Sequence, residues 1–157
     1  MILPGHLAAA LLASRAFRVD RHASLLASMF PDVIDKPIRW LFRLTPNDRL
    51  PAHTGLVWAV TTGLVCLWKG STFGKGWFVG YGSHLCCDQV NAYLNPGRIY
   101  FWWPFKRYRL HVGPTGVHSS LQDFSWASLL LELALSLLGI WVWFRKERDY
   151  VKLEGEE

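Results

Sequence analysis

The sequence predicts an all-α fold, a small polytopic helical membrane bundle of two hairpins plus a C-terminal transmembrane helix. Of its 157 residues, 51% are hydrophobic and 15% aromatic, and only 18% are charged, whereas soluble domains carry about a quarter. Apolar runs are separated by short polar turns, and short connections make neighbouring helices antiparallel. We therefore expect a single helical domain over residues 1–150 and a polar tail over 151–157.

The first third of the chain predicts a short hairpin followed by an interfacial segment. Residues 5–18 and 22–30 are rich in Ala and Leu, and each would form a helix of about 20 Å or less, too short to cross a bilayer unaided. Pro31 and Pro37 bracket a predicted turn, because the residue before a proline disfavours helix. Residues 38–50 mix arginines with large apolar side chains and are expected at the membrane surface.

The remainder of the chain predicts a second hairpin, an aromatic belt and a transmembrane span. Residues 52–68 read as an apolar helix with His53 in its first turn, and a short loop separates it from a helix over 76–94. Residues 98–111 combine aromatic and basic side chains, as segments at the headgroup level do. Residues 124–144, about 31 Å long as a helix, match the hydrocarbon thickness and end at a basic cluster.

The net charge of +5 narrows the classes of partner. The basic residues lie at the ends of apolar runs and not in one stripe, so we expect membrane lipid or a lipid-linked substrate as the partner, and no nucleic acid. Cys66, Cys86 and Cys87 lie in apolar segments at spacings that fit no zinc motif. We predict that they are reduced residues of the core.

His84 and Asp88 form the most informative pair in the sequence. They are four residues apart in a segment without helix breakers, so on a helix both side chains reach the same way. That arrangement suits a divalent metal, and equally a simple hydrogen bond between the two side chains. Ionisable groups with such apolar flanking residues are rare without a function.

Folding each predicted hairpin brings further polar residues to its open end. In the second hairpin, His53 comes level with about residue 91, near Asp88. In the first, His6 comes level with about residue 34, between two aspartates. The candidate metal shell is therefore His6, Asp32, Asp35, His53, His84 and Asp88.

Nitrogen and carboxylate ligands without cysteine fit a divalent metal, Zn²⁺ first, with Mn²⁺ or Fe²⁺ as alternatives. The six candidates are more than the four ligands of a tetrahedral site. Either some of them only hold the ligands in place through hydrogen bonds, or two metals bind. A divalent ion with an open position activates water for hydrolysis.

Asp35 is the expected general base. Arg49, four residues before His53, could bind an anionic substrate oxygen or a lipid phosphate.

Other titratable residues carry less weight. His22 lies in a charged turn and is expected to be solvated. His111 and His118 flank a glycine-containing loop that starts at the same end as the candidate shell, so either could reach it. Glu132 is the single charge in the predicted span and is interpreted as a structural residue within the bundle.

Four stretches taken together, PDVIDKP, LPAHTG, GYGSHLCCD and WWPFKRYR, resemble a known family. Over residues 1–110 the chain resembles the YdjM-like family of LexA-binding, inner-membrane-associated proteins, described as membrane-bound metal-dependent hydrolases. The resemblance implies a multi-pass inner membrane protein. The positions that match the family pattern are His6, Asp32, Asp35, Arg49, His53, Gly80, Tyr81, His84 and Asp88. The chain departs from that pattern at Asp48, where the family has a histidine, and in one extra residue between its first two aspartates.

The leading hypothesis is a membrane-embedded metal-dependent hydrolase that acts on an ester or phosphoester at the lipid headgroup level. The alternative is a non-catalytic metal site that pins the two hairpins together in a membrane interaction or stress-response protein. A transporter or ion-binding module is the third, but residues 56–68 and 124–144 offer few polar groups for a path.

Overall fold

The computed structural model describes residues 3–45, 49–94, 100–108 and 125–154, with side chains described up to Phe144. Within these ranges the chain contains helices and no strand, which confirms the all-α class. The helices are α1 (Leu3–Ala16), α2 (Arg21–Trp40), α3 (Gly55–Lys69), α4 (Ser71–Leu94) and α5 (Trp126–Glu154).

The first hairpin is formed by α1 and α2, and α2 is longer than the sequence predicts. The carboxylate of Asp20 caps α2 by accepting a hydrogen bond from the Ala23 N–H at 2.7 Å. The helix then continues through Pro31 and Pro37 to Trp40, so the turn predicted at the prolines is wrong. Tertiary contacts override the local preference, because the buried side chain of Asp35 binds the segment that precedes α3.

The second hairpin is formed by α3 and α4 with a very tight connection. Thr54 caps α3 through its side chain, so His53 lies just before the helix and not in its first turn. Gly70, at φ 85°, ends α3 with a backbone that other residues rarely adopt. Because α4 begins at Ser71, the loop predicted up to residue 75 is reduced to this single glycine.

The two hairpins pack through a close approach of α2 and α4. A Cβ atom on Gly80 would lie 2.0 Å from the main-chain oxygen of Ser24, so the two backbones meet without side chains between them. The buried core beside this contact contains Ala27, Tyr81 and Leu85. This contact places the C-terminal half of α4 against the middle of α2, where the candidate site residues lie.

Helix α5 packs on α1 and runs parallel to it. Its Glu132 contacts Gly5 near the start of α1, and its Val142 accepts a long hydrogen bond from Arg15 near the end of α1. Residues Trp126–Phe144 are long and apolar enough to cross a membrane, and they are the one such helix among the described residues. The multi-pass arrangement therefore stays a prediction, and α5 extends to Glu154 instead of ending at residue 144.

The remaining sequence predictions have mixed outcomes. The three cysteines are free, as expected, but Cys86 is exposed and so is not part of the core. The aromatic belt is described over residues 100–108, where it forms turns. Asp48, His111, His118 and the last three residues of the tail lie outside the described residues.

We expect Gly80→Ala to destabilise the fold, because the new Cβ would meet a main-chain oxygen that cannot rotate away. The free energy of unfolding should fall by about 2–3 kcal/mol. Gly63→Ala is the matched control, since a Cβ on Gly63 has no neighbour within 4 Å, and it should stabilise α3 by about 0.5–1 kcal/mol. Thermal unfolding in detergent measures both, and a Gly80 variant as stable as the Gly63 variant would contradict this packing.

Candidate metal centre

The first component of the site is a buried loop held by Asp35. The Asp35 carboxylate accepts hydrogen bonds from the main-chain N–H groups of Ala52 at 2.8 Å and His53 at 3.1 Å. It also lies 2.7 Å from Nδ1 of the His53 ring. The Tyr81 hydroxyl donates to the main-chain oxygen of Ala52 from the other side. The imidazole of His53 is thereby fixed with its Nε2 directed away from Asp35.

His84 is fixed in the same manner by a different partner. Its Nδ1 donates to the main-chain oxygen of Ser28 at 2.6 Å, because a carbonyl can only accept a hydrogen bond. Its Nε2 lies 3.1 Å from Nε2 of His53, so the two fixed rings face one another. The ring of His6 stacks on that of His84 with centroids 3.8 Å apart. Three buried imidazoles therefore meet at the open ends of both hairpins.

Two carboxylates complete the cluster. Asp88 Oδ1 lies 3.4 Å from His6 Nε2, and Asp88 Oδ2 lies 3.3 Å from His53 Nε2. Asp32 Oδ1 lies 3.6 Å from His53 Nε2, while its Oδ2 accepts a hydrogen bond from Lys36 at 2.6 Å. Both carboxylates thus point an oxygen at the ring nitrogens instead of at solvent.

Electrostatic interactions in the cluster shift the pKa values of its two facing imidazoles in opposite directions. Burial alone would lower the pKa of His53, but the carboxylates of Asp32, Asp35 and Asp88 raise that pKa well above its usual value. Burial, followed by a neighbouring imidazole, lowers the pKa of His84 to about 3. The space between the two Nε2 atoms, bordered by carboxylate oxygens, is the position that a cation would take.

The donor atoms fit a divalent metal. His6, Asp32 and His84 offer ligand atoms within 4.8 Å of one another, and so do His53, His84 and Asp88. Both groups use His84, which has a single nitrogen to offer because Nδ1 is bound to Ser28. The two groups consequently describe one centre with three imidazoles and two carboxylates, a donor set suited to Zn²⁺, Mn²⁺ or Fe²⁺.

A small cleft opens on this centre. Arg49 lines this cleft. Burial raises the pKa of Asp88, but the facing His53 and His6 and, after them, Arg49 bring that pKa well below its usual value. Tyr100 and Phe101, in the loop over residues 100–108, also line the cleft, and this loop is tied to α3 by a hydrogen bond from Gly55 N–H to the Phe101 oxygen at 2.9 Å. The described lining residues are Arg49, His53, Leu85, Asp88, Gln89, Tyr100 and Phe101.

The first turn of α1, which carries His6, is held by α5. The Gly5 N–H, one of the donors that a helix leaves unpaired in its first turn, donates to Glu132 Oε1 at 3.0 Å. Glu132 is buried. This contact agrees with a structural interpretation of Glu132 and connects the candidate span to the position of His6.

The structure brings His6, Asp32, His53, His84 and Asp88 together, as the hairpin geometry predicts. Asp35, the sixth candidate, lies behind His53 and is fully buried. Arg49 lies in the cleft, and His22 lies in the first turn of α2, outside the cluster.

Sequence reasoning missed several contributors to the site. The main-chain oxygen of Ser28 has no signal in a sequence, since any residue carries one. Tyr81, three residues before His84, is among the positions that match the family pattern, but the hydrogen bond from its hydroxyl to Ala52 was not predicted. Gln89 directly follows Asp88 on α4 and could have been found from that position, whereas Tyr100 and Phe101 could not, because their place at the cleft depends on the loop conformation.

Comparison with known proteins identifies the family. A family model described as YdjM inner membrane protein matches residues 1–152, nearly the whole chain. The chain therefore belongs to this family of inner membrane proteins, and the resemblance seen in the four sequence stretches is confirmed at that level. The description gives a location and no activity. No curated protein and no solved structure matches the chain significantly.

Zinc content should depend strongly on the facing imidazoles of His53 and His84 and more weakly on Asp35, which orients the His53 ring. We expect His84→Ala to abolish stoichiometric zinc binding, and Asp35→Asn to weaken it about 10–100-fold by releasing the His53 ring. His22→Ala, outside the cluster, is the control. Elemental analysis and chelator competition on detergent-purified protein measure these effects. Equal zinc in all three variants would contradict the assignment.

Glu132 should act on zinc affinity through the first turn of α1. In Glu132→Leu the Gly5 N–H loses its acceptor, at a cost of about 1–3 kcal/mol, and His6 loses its support. Glu132→Gln keeps a carbonyl oxygen in the same place and should retain most of the stability and affinity. Thermal unfolding and zinc titration of the two variants test this, and identical behaviour of both would refute it.

Proposed function

We propose that the protein is a metal-dependent hydrolase of the inner membrane, acting on an ester or phosphoester of a lipid or lipid-linked substrate. The observation that carries this proposal is the arrangement of His53 and His84. Each ring has its Nδ1 held by an acceptor, and the two Nε2 atoms lie 3.1 Å apart beside carboxylate oxygens. Orientation of ligand rings by such partners is the usual support of a metal site.

Each residue of the cluster has a distinct proposed role. His6, Asp32, His53, His84 and Asp88 hold the ion. Asp35 orients His53, and this replaces the role of general base expected from the sequence, because its oxygens already accept hydrogen bonds from three donors. Asp88, whose carboxylate lines the cleft, would hold the ion on the side where the cleft gives access.

A bound divalent ion would supply Lewis acidity toward the substrate and lower the pKa of water. Arg49, which lines the same cleft, presents a guanidinium that pairs well with phosphate oxygens. Its position favours a phosphoester over a neutral ester. Phe101 and Leu85 give the cleft an apolar wall suited to the part of a lipid below its headgroup.

The membrane setting supports a lipid substrate. The chain belongs to an inner membrane family, and α5 exposes an apolar face. Helix α3 also exposes large apolar side chains, Leu64, Leu67 and Trp68 among them, and buries none of its residues. We propose that lipid covers both faces, in a multi-pass arrangement, and that the cleft opens near the headgroups.

The second candidate function is a non-catalytic metal site that joins the hairpins. It is favoured by the burial of His6 and His84, which are 1% and 0% exposed. A closed shell of four ligands without bound water would result, and chelation would unfold the bundle. The cleft beside Asp88 and Arg49 argues for the hydrolase, because a purely structural site needs no access.

The decisive experiment measures hydrolysis by zinc-loaded protein in detergent. The substrates are bis(p-nitrophenyl) phosphate, a p-nitrophenyl acyl ester and phospholipid vesicles. Activity should disappear in His84→Ala and Asp88→Asn and persist in His22→Ala. Arg49→Gln should lower kcat/KM about 10–100-fold for the phosphoester and little for the neutral ester, since charge-assisted hydrogen bonds contribute about 1.5–3 kcal/mol.

The controls separate the two candidate functions. Variants are compared at equal purity and after circular dichroism has shown retained helicity. Hydrolysis that is unchanged in His84→Ala would reject the hydrolase. Stoichiometric zinc without any turnover, together with unfolding on chelation, would instead establish the structural site.

A further inference from the structure

A second concave surface lies at the end of the hairpins opposite to the candidate metal centre. It is a groove of about 350 Å³ between the C-terminal end of α1, the second half of α3 and the first half of α4. Phe17 and Val19 form one wall, and Phe78 and Val79 form another. Phe17 is 69% exposed and Phe78 47% exposed, so the groove opens to the surroundings of the bundle.

Two polar groups occur in this apolar groove. Lys75 lines it from α4 and is exposed. Thr62 lines it from α3, and its buried Oγ1 has no hydrogen-bond partner among the described residues. The neighbouring Thr61 behaves as threonines in helices usually do, because its hydroxyl donates to the Val57 oxygen at 2.7 Å. The Thr62 hydroxyl therefore lacks the partner that a buried donor requires.

The surroundings of the groove are those of a headgroup region. Lys69 lies over the ring of Trp68 at 4.1 Å, and Arg21 lies over that of Trp143 at 4.7 Å. Pairs of tryptophan with basic residues are characteristic of the membrane–water boundary. Asp20, the acid in the turn between α1 and α2, keeps its negative charge while it caps α2. It is outnumbered at this end of the bundle by basic residues, namely Arg15, Arg18, Arg21, Lys69 and Lys75, so the end that holds the groove carries a surplus of positive charge among the described residues.

We propose that this groove binds one anionic phospholipid. Its acyl chain lies along the walls formed by Phe17 and Phe78, and its phosphate pairs with Lys75. Rotation of the Thr62 side chain would bring its buried, unpaired hydroxyl into the groove, where it donates to an ester carbonyl of the same molecule. An apolar trough with a cation at its edge and an unpartnered hydroxyl within it complements the three parts of a glycerophospholipid. The acyl chain of a zwitterionic lipid would also fit the apolar groove, but its neutral headgroup would not compensate the surplus positive charge.

This lipid is not the substrate of the proposed hydrolase. The groove is built from the closed ends of the hairpins, whereas the candidate metal centre is built from their open ends. No residue lines both the groove and the metal-site cleft. The proposal therefore stands or fails independently of the proposed function.

The experiment titrates delipidated, detergent-purified protein with phosphatidylglycerol and with phosphatidylcholine of identical acyl chains, followed by native mass spectrometry. We expect the anionic lipid to bind at one site. Lys75→Gln should weaken this binding about five-fold, and Thr62→Val should weaken both lipids alike. Lys106→Gln removes the same charge from the loop over 100–108 and should leave lipid binding unchanged.

Several outcomes would overturn the proposal. Equal binding of the two lipids would leave an apolar groove without charge selection. Equal losses in the Lys75 and Lys106 variants would indicate a general effect of net charge. Saturation at many lipids without a tight first one would indicate only a solvating layer. Zinc content, which should be unchanged in all three variants, serves as the check on folding.

Discussion

The candidate centre depends on one buried carboxylate. Asp35, in the C-terminal half of α2, accepts three hydrogen bonds from the loop that precedes α3, and these bonds fix both the path of that loop and the ring of His53. A buried carboxylate is stable only when its oxygens are paired, so the loop and the aspartate require each other. The junction of the two hairpins is thereby rigid at the place where the other imidazoles converge.

The donor cluster gathers ionisable groups at the junction of the two hairpins. Three imidazoles and two carboxylates lie close together there, with ring nitrogens and carboxylate oxygens facing one another. A hydrophobic replacement would avoid the desolvation of so many ionisable groups. That the chain nevertheless buries them is the behaviour expected of a site that natural selection keeps for a function at the expense of stability.

Much of this architecture could be predicted from local sequence. The four-residue spacing of His84 and Asp88 and the shortness of the connections were enough to bring His6 and His53 to the same end. The path of α2 through Pro31 and Pro37 could not be predicted, because tertiary contacts of Asp35 decide it. The role of Asp35 was missed for the same reason. Spacing reveals which residues come together, but not which of them contact the metal position and which only orient a neighbouring ring.

The parallel contact between α1 and α5 has a consequence for biogenesis. His6 belongs to α1, which leaves the ribosome well before α5, the helix that carries Glu132 and holds the turn around His6. A nascent chain that contains only α1 to α4 therefore leaves the turn around His6 without this support. Synthesis of α5 thus completes the support of His6, and translation products truncated before α5 would lack it.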